Sequence, residues 1–225
     1  MMELAGKTIN FLGDSITEGA GVEDIENCRY DNRLKKMLNL KSVHNYGIGG
    51  TRIAHQRKAS EKPRYDLSFC GRAYDLNPDA DVIVVYGGVN DYIHGDACFG
   101  DMADTTPDTF CGAVEFLMNL LEELYPNAQK VFLTPARHRF SGLDYKKPSD
   151  WQGKAPDAKP LRDYCRVIIE KGMAHNIPVI DLYEVLPLDA DIEEDYEKYT
   201  VDGLHFNDEG HKFIADTVAD FLKKL

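Results

Sequence analysis

No run of 18 consecutive apolar residues occurs in the 225-residue chain, so nothing in it reads as a membrane-spanning helix. Positive charge is also scarce. Lys and Arg total 26 against 38 Asp and Glu, and the net charge of -12 repels a phosphate backbone or an anionic lipid surface. Neither nucleic acid nor membrane insertion is expected. The five cysteines (Cys28, Cys70, Cys98, Cys111, Cys165) are odd in number, scattered and without a C-x-x-C pair, which argues against a disulfide framework and a zinc ribbon. They read as reduced, mostly buried thiols. His44, His55, His94, His138, His175 and His211 show no H-E-x-x-H or comparable spacing, so no metal is expected. A Walker lysine, a G-x-G-x-x-G fingerprint and a G-x-S-x-G elbow are all missing, as are internal repeats and low-complexity tracts. No cofactor is expected.

What is present suits one domain, residues 1–225, large enough to bury roughly 70% of its unfolded-chain surface without staples. The stretch from Met1 to Lys7 leaves no room for the regions of a signal peptide, so the chain reads as cytoplasmic, secretion requiring a leader already removed. Apolar runs at Ile9 to Leu12, Val82 to Tyr86, Val131 to Leu133 and Val179 to Leu182, with a weaker one at Val43 to Tyr46, read as buried parallel strands. Between them lie apolar stripes of helical period: Tyr30, Leu34, Met37; Phe110, Val114, Leu117, Leu121; Leu161, Tyr164, Ile168; Ile214, Val218, Phe221. Thr106 before Pro107 is the expected start of the second of these helices, and Asn207 caps the last. Strands alternating with helices imply an α/β fold with a doubly wound parallel sheet of about five strands. Long connections at about 92–105 and 137–158 follow the third and fourth strands, where function concentrates. The acidic run Asp189 to Glu197 reads as a solvated segment, not a metal site.

Three short blocks carry chemistry: Gly13-Asp14-Ser15-Ile16, Gly88-Val89-Asn90-Asp91 and Asp202-Gly203-Leu204-His205. The first two follow strands and the third precedes the last helix. Ligands of an open parallel sheet bind beyond the carboxyl ends of its strands, so blocks dozens of residues apart converge on one edge. Asp202 and His205, at i and i+3, can share one side of a turn, the carboxylate taking the Nδ1 proton and leaving Nε2 as a base for Ser15. Singly, each block has a plainer reading. Gly-Asp-Ser could be a turn with a helix cap, the glycines Gly47 to Gly50 a tight turn, and Asn90-Asp91 a turn dipeptide. Their conjunction, in order and after the right elements, favours function.

With these blocks the chain resembles the GDSL esterase/lipase family, the SGNH hydrolases, over nearly its full length. The resemblance implies a flavodoxin-like three-layer α/β/α sandwich with a Ser-His-Asp triad: Ser15 as nucleophile, with Ile16 where the family more often has leucine, and Asp202 with His205 as the terminal Asp-x-x-His. Asn45-Tyr46-Gly47-Ile48-Gly49-Gly50 is similar to the second block, whose last glycine, Gly50, would lend its N–H to the oxyanion hole. Asn90 matches the asparagine that joins it, and the Ser15 N–H completes the set.

Specificity is expected from the loops. Arg52, Tyr92, Arg137, His138 and Trp151, with Arg139, look polar and aromatic, which suits short-acyl, small polar or carbohydrate esters better than the apolar trough of a lipase. A small-molecule ester is thus the expected partner. Asp14 stands beside these as a group a substrate could meet, but an acid flanking the nucleophile opposes an anion, so Asp14 and Asp91 are expected to accept backbone hydrogen bonds. His94 and His138 border the pocket or face solvent, and His211 is a surface or packing residue. Two rival readings remain: a lysophospholipase or lipase acting on longer chains, and a non-catalytic flavodoxin-like module holding a phosphate at Gly13 to Gly19.

Overall fold

β1 (Thr8–Gly13) is buried along its whole length because side chains alternate between two cores, Phe11 facing one and Leu12 the other. The computed structural model describes residues 3–186, 188 and 192–225. After β1 come α1 (Ser15–Glu18), α2 (Ile25–Cys28), α3 (Tyr30–Met37), β2 (Ser42–Gly47), α4 (Phe69–Arg72), β3 (Val82–Tyr86), α5 (Val89–Ile93), α6 (Phe110–Leu124), β4 (Gln129–Leu133), α7 (Leu161–His175), β5 (Val179–Ile180), α8 (Leu182–Val185), α9 (Glu193–Tyr199) and α10 (Asp208–Leu222). All five strands are parallel, in the order β2-β1-β3-β4-β5. This is the flavodoxin-like order, with a topological switch point between β1 and β3.

Register matters for function. Gly13 pairs with both Gly47 and Tyr86, so β1, β2 and β3 end level and release their following loops at one edge. The sheet is covered on both faces. On one, Leu12, Ile83, Val85 and Phe132 pack with Phe69, Phe110, Leu117, Tyr164 and Ile168 from α4, α6 and α7. On the other, Ile9, Phe11, Val84 and Val131 pack with Tyr30, Leu34, Ile214 and Val218 from α3 and α10. Each such side chain contributes about 1.5–3 kcal/mol by leaving water, so the two layers fix the edge rigidly.

Boundaries differ from expectation in two places. α6 begins at Phe110, capped by Thr109, whose hydroxyl accepts from Gly112 N–H at 3.1 Å. The Thr106-Pro107 segment instead packs on α6 at Gly112, where a Cβ would fall 2.2 Å from Thr106 O, and Pro107 O accepts from His55 N–H at 2.8 Å. β5 stops at Ile180, since Asp181 turns away to take hydrogen bonds from Thr134 and Arg162. Asn207 caps α10 as expected, accepting from Glu209 and Gly210 N–H groups. Within the acidic run, Asp189 and Asp191 lie outside the described residues, as do Met1 and Met2 at the N-terminus; Glu193, Glu194 and Glu197 are exposed on α9.

Candidate active site

Ser15 is the first residue of α1, two residues past the end of β1 at Gly13. The turn into it needs a glycine at position 13, because a Cβ there would fall 1.9 Å from Thr17 Oγ1. Asp14 caps the helix, accepting the Ile16 N–H at 3.0 Å. Buried to 1% exposure, its carboxyl is pushed up to about 6 by desolvation, against the pull of that hydrogen bond and of His205.

Ser15 Oγ lies 3.0 Å from His205 Nε2. His205 Nδ1 lies 2.7 Å from Asp202 Oδ2. A carboxylate only accepts, so Nδ1 carries the proton and Nε2 is left to accept from the serine hydroxyl. Asp202 is itself fixed by the chain it orients: its Oδ1 accepts the His205 N–H at 2.8 Å and the Leu204 N–H at 3.0 Å. Burial lowers the His205 pKa, but the bond and charge of Asp202, with Asp14 behind, outweigh it and hold it above the usual 6.5. For Asp202 burial pushes up and the same bonds prevail, leaving the carboxyl below its usual value. The loop after β4 steadies the turn, with Arg139 N–H bonded to Gly203 O at 2.9 Å and the Phe140 ring edge-on to the imidazole at 6.1 Å.

The turn after β2 brings Gly50 to the same place in the left-handed region, φ +79°, with Tyr65 packed where a side chain would go. Glu18 at the end of α1 holds this turn, accepting Gly49 N–H at 2.8 Å and Arg64 at 2.7 Å. Asn90 on α5 donates Nδ2–H to Thr51 O at 3.0 Å. Asp91 beside it accepts from Ile53 and Ala54 N–H groups at 2.9 and 3.0 Å, and burial raises it to about 6. Both flanking acids are therefore backbone acceptors.

Ser15, Gly50, Asn90 and His205 share a cavity of about 850 Å³, walled also by Arg52, Tyr65, His94, Phe140, Trp151 and Leu204. Of the side chains expected to meet substrate, Arg52 and Trp151 line it. Asp14, Tyr92, Arg137 and His138 do not. Asp14 is spent on its cap. Tyr92 is wholly buried, its hydroxyl 3.0 Å from Asp144 O. Arg137 turns to Glu184 at 3.0 Å and stacks on Tyr183. His138 lies between Tyr92 and Tyr145 at 1% exposure, where burial lowers its pKa to about 4. His211 is a packing residue, stacked on Tyr30. His94, read as bordering the pocket or facing solvent, lines the cavity with little exposure. It bonds to Asn90, four residues back at helical i, i+4 spacing, and to Arg52, a pairing that no local pattern announces. Arg72 was also missed. It donates to Gly13 O at 3.0 Å, Thr51 Oγ1 at 2.9 Å, Leu67 O at 2.9 Å and Tyr46 O. Among the described residues no group of three or more His, Cys, Asp or Glu is placed to hold a metal ion, and no helix is long and apolar enough to cross a membrane.

A hydroxyl, an imidazole and a carboxylate in line at the switch point of a 2-1-3-4-5 parallel sheet define an α/β/α hydrolase. The chain belongs to the GDSL-like lipase/acylhydrolase family, whose model matches residues 11–213, and it is a carboxylic ester hydrolase. A solved protein from Lactobacillus plantarum is 28% identical over 98% of each chain, with a TM-score of 0.80. A lipase/acylhydrolase from Enterococcus faecalis is 21% identical, TM-score 0.64, over 97% of this chain and 96% of that one. An acetyl xylan esterase is 23% identical, TM-score 0.58, over 95% and 98%. No curated protein matches the chain. Family membership sets aside the reading as a non-catalytic binding module.

Proposed function

We propose that Ser15, His205 and Asp202 form the catalytic triad of an esterase for short-acyl, small polar or carbohydrate esters. The observation that carries the triad is the unbroken line from Asp202 Oδ2 through the imidazole to Ser15 Oγ, opening on a cavity that also holds Gly50 and Asn90. His205 takes the Ser15 proton as Oγ bonds to the ester carbonyl carbon. The N–H groups of Ser15 and Gly50 and the Asn90 amide stabilise the oxygen that becomes negative. When the bond to the alcohol breaks, the proton passes from His205 to the leaving oxygen, and an acyl-Ser15 ester remains. Water, deprotonated by His205, attacks that ester. The acid is released and Ser15 regains its proton.

The cavity walls support the choice of substrate. Ile93, Phe140 and Leu204 are its apolar lining residues, enough for a short acyl group, whereas Ser60, Glu61, Lys62, Arg64, Tyr65, Trp151 and Gln152 supply polar and aromatic surface for the alcohol side. A long acyl chain wants a continuous apolar channel. The fold is shared with an acetyl xylan esterase, which agrees with a carbohydrate ester as substrate. A panel of nitrophenyl esters from acetyl to palmitoyl, run beside acetylated sugars, tests this. Acetyl esters are expected to turn over fastest, and a preference for long chains would overturn the short-acyl assignment.

A further inference from the structure

The assignment of Asn90 to the oxyanion site leaves open what aims its amide, since an asparagine carries a donor and an acceptor that swap when the group flips. At one end, Thr51 O can only accept, so the atom 3.0 Å from it is Nδ2, and Oδ1 is turned towards His94 Nε2 at 3.2 Å. At the other end, Arg52 can only donate, so His94 Nδ1, 3.1 Å from Arg52 Nη1, has to accept. The two constraints agree. The ring is neutral, carries its proton on Nε2, and donates it to Asn90 Oδ1. One hydrogen of Asn90 Nδ2 goes to Thr51, leaving the other for the cavity.

Arg52 is in turn fixed from behind. Its Nη2 bonds to Asp66 Oδ1 at 2.8 Å and to Ser60 Oγ at 2.7 Å, and Asp66 also accepts from Ser60 N–H and Oγ–H. The Arg52 side chain is 4% exposed, so this held cation does not swing freely to a substrate. Tyr65 packs on His94 with ring centroids 5.7 Å apart and lies against Gly50, touching both sides of the site.

Resting on the triad reading above, we propose that His94 is a positioning residue for ester hydrolysis: Asp66 fixes Arg52, Arg52 fixes the His94 tautomer, and His94 holds the Asn90 amide with its N–H towards the oxyanion. Burial, with Arg52 and Lys154 nearby, lowers the His94 pKa to about 4, which keeps the ring neutral wherever the His205 base is active. Arg52 thereby acts behind Asn90 and is not spent on the substrate's alcohol group.

Nitrogen-15 NMR of the imidazoles in the wild-type protein reads the tautomer without reference to activity. His94 is expected protonated on Nε2, bare at Nδ1 and neutral down to about pH 5. A proton on Nδ1, or a charged ring at neutral pH, would overturn the relay. In kinetics, His94→Phe keeps the ring contact with Tyr65 but donates nothing. It should lower kcat about 10-fold or more with KM changed less than about twofold, a smaller loss than the roughly 10²–10³ typical of deleting an oxyanion donor. His94→Gln, whose amide can accept from Arg52 and donate to Asn90, should recover most of that kcat. In an Asn90→Ala background the same His94→Phe change should cost less than about twofold. An equal loss in both backgrounds, or an unchanged kcat in His94→Phe alone, would sink the proposal. Activity retained in Ser15→Ala would overturn the nucleophile instead and leave the tautomer result untouched.

Discussion

Arg72 donates Nη2–H to the Gly13 carbonyl at 3.0 Å, so a cation from α4 closes the end of β1 two residues before Ser15. The same guanidinium reaches Tyr46 O at the end of β2 and Thr51 Oγ1 in the turn that carries Gly50. Two strand ends and one turn are thus bound to a single side chain. Its planar fork suits this, and a lysine could not span the set. Burial costs something in return, drawing the Arg72 pKa down to about 10. Replacing it with methionine takes a donor from Tyr46 O, Leu67 O and Thr51 Oγ1, while Gly13 O keeps the Ile48 N–H at 3.1 Å, and each acceptor left unpaired away from water costs about 1–3 kcal/mol before relaxation. Arg72→Met is therefore expected to lose about 3 kcal/mol or more, read as a lower urea midpoint at unchanged slope. A loss under about 1 kcal/mol would mean that water replaces the guanidinium without penalty.

Ser15 makes the contrasting case. Its hydroxyl bonds to His205 and contributes little to the core, so Ser15→Ala should leave stability within about 1 kcal/mol of wild type. Ester turnover should fall about 10⁴-fold or more, since a triad without its nucleophile keeps little beyond binding and the oxyanion donors. A fluorophosphonate probe should label wild type and not the variant. Labelling of the variant would point to a second nucleophile.

The acid limb of kcat/KM should report His205. Its pKa is raised in the folded enzyme, and only the neutral ring can take the Ser15 proton. Activity therefore falls as pH drops through a value above the usual 6.5, and a flat profile from about pH 5 to 8 would contradict the assignment. Asp202→Asn removes the main group holding that value up. The limb should then move to lower pH while the plateau drops at least about 10²-fold, as a triad carboxylate also fixes the tautomer.

How far the sequence carried the site follows from how local each signal is. Ser15, Asn90, Asp202 and His205 stand next to strand ends or a helix cap, where a few residues of pattern suffice, and because both faces are covered β3 is apolar throughout, while β1 and β4 carry Ile9, Phe11, Leu12 and Val131 to Leu133 as their apolar signal. β2 was faint because it is an edge strand, half-exposed at every position and interrupted by His44 and Asn45. Arg72 and His94 escaped for another reason. Their roles come from partners 21 to 59 residues away for the Arg72 bonds to Thr51, Tyr46 and Gly13, and 42 residues away for the bond of His94 to Arg52, and no periodicity records such pairings. Tyr92, Arg137 and His138 were misjudged in the opposite sense: polar and aromatic residues on a long loop look available, but packing turned them inward or towards Glu184.

His175 gives a stability test away from the site. At the end of α7, its Nδ1 lies 2.8 Å from Glu122 and its Nε2 3.1 Å from Glu115, both on α6, and Lys171 also pairs with Glu115 at 2.8 Å. Burial alone would lower the histidine's pKa, but the two carboxylates overcome it and the folded value lies above 6.5. A histidine raised on folding binds its proton more tightly in the native state, so its contribution is full below the unfolded pKa. That contribution disappears as pH rises through the folded one. The melting temperature of wild type minus that of His175→Gln should accordingly be largest near about pH 6 and shrink towards about pH 9. Below about pH 4 the glutamates themselves protonate and the gap should narrow again. A difference that grew with pH would mean that the ring is held neutral between α6 and α7, its carboxylate neighbours acting only as hydrogen-bond acceptors.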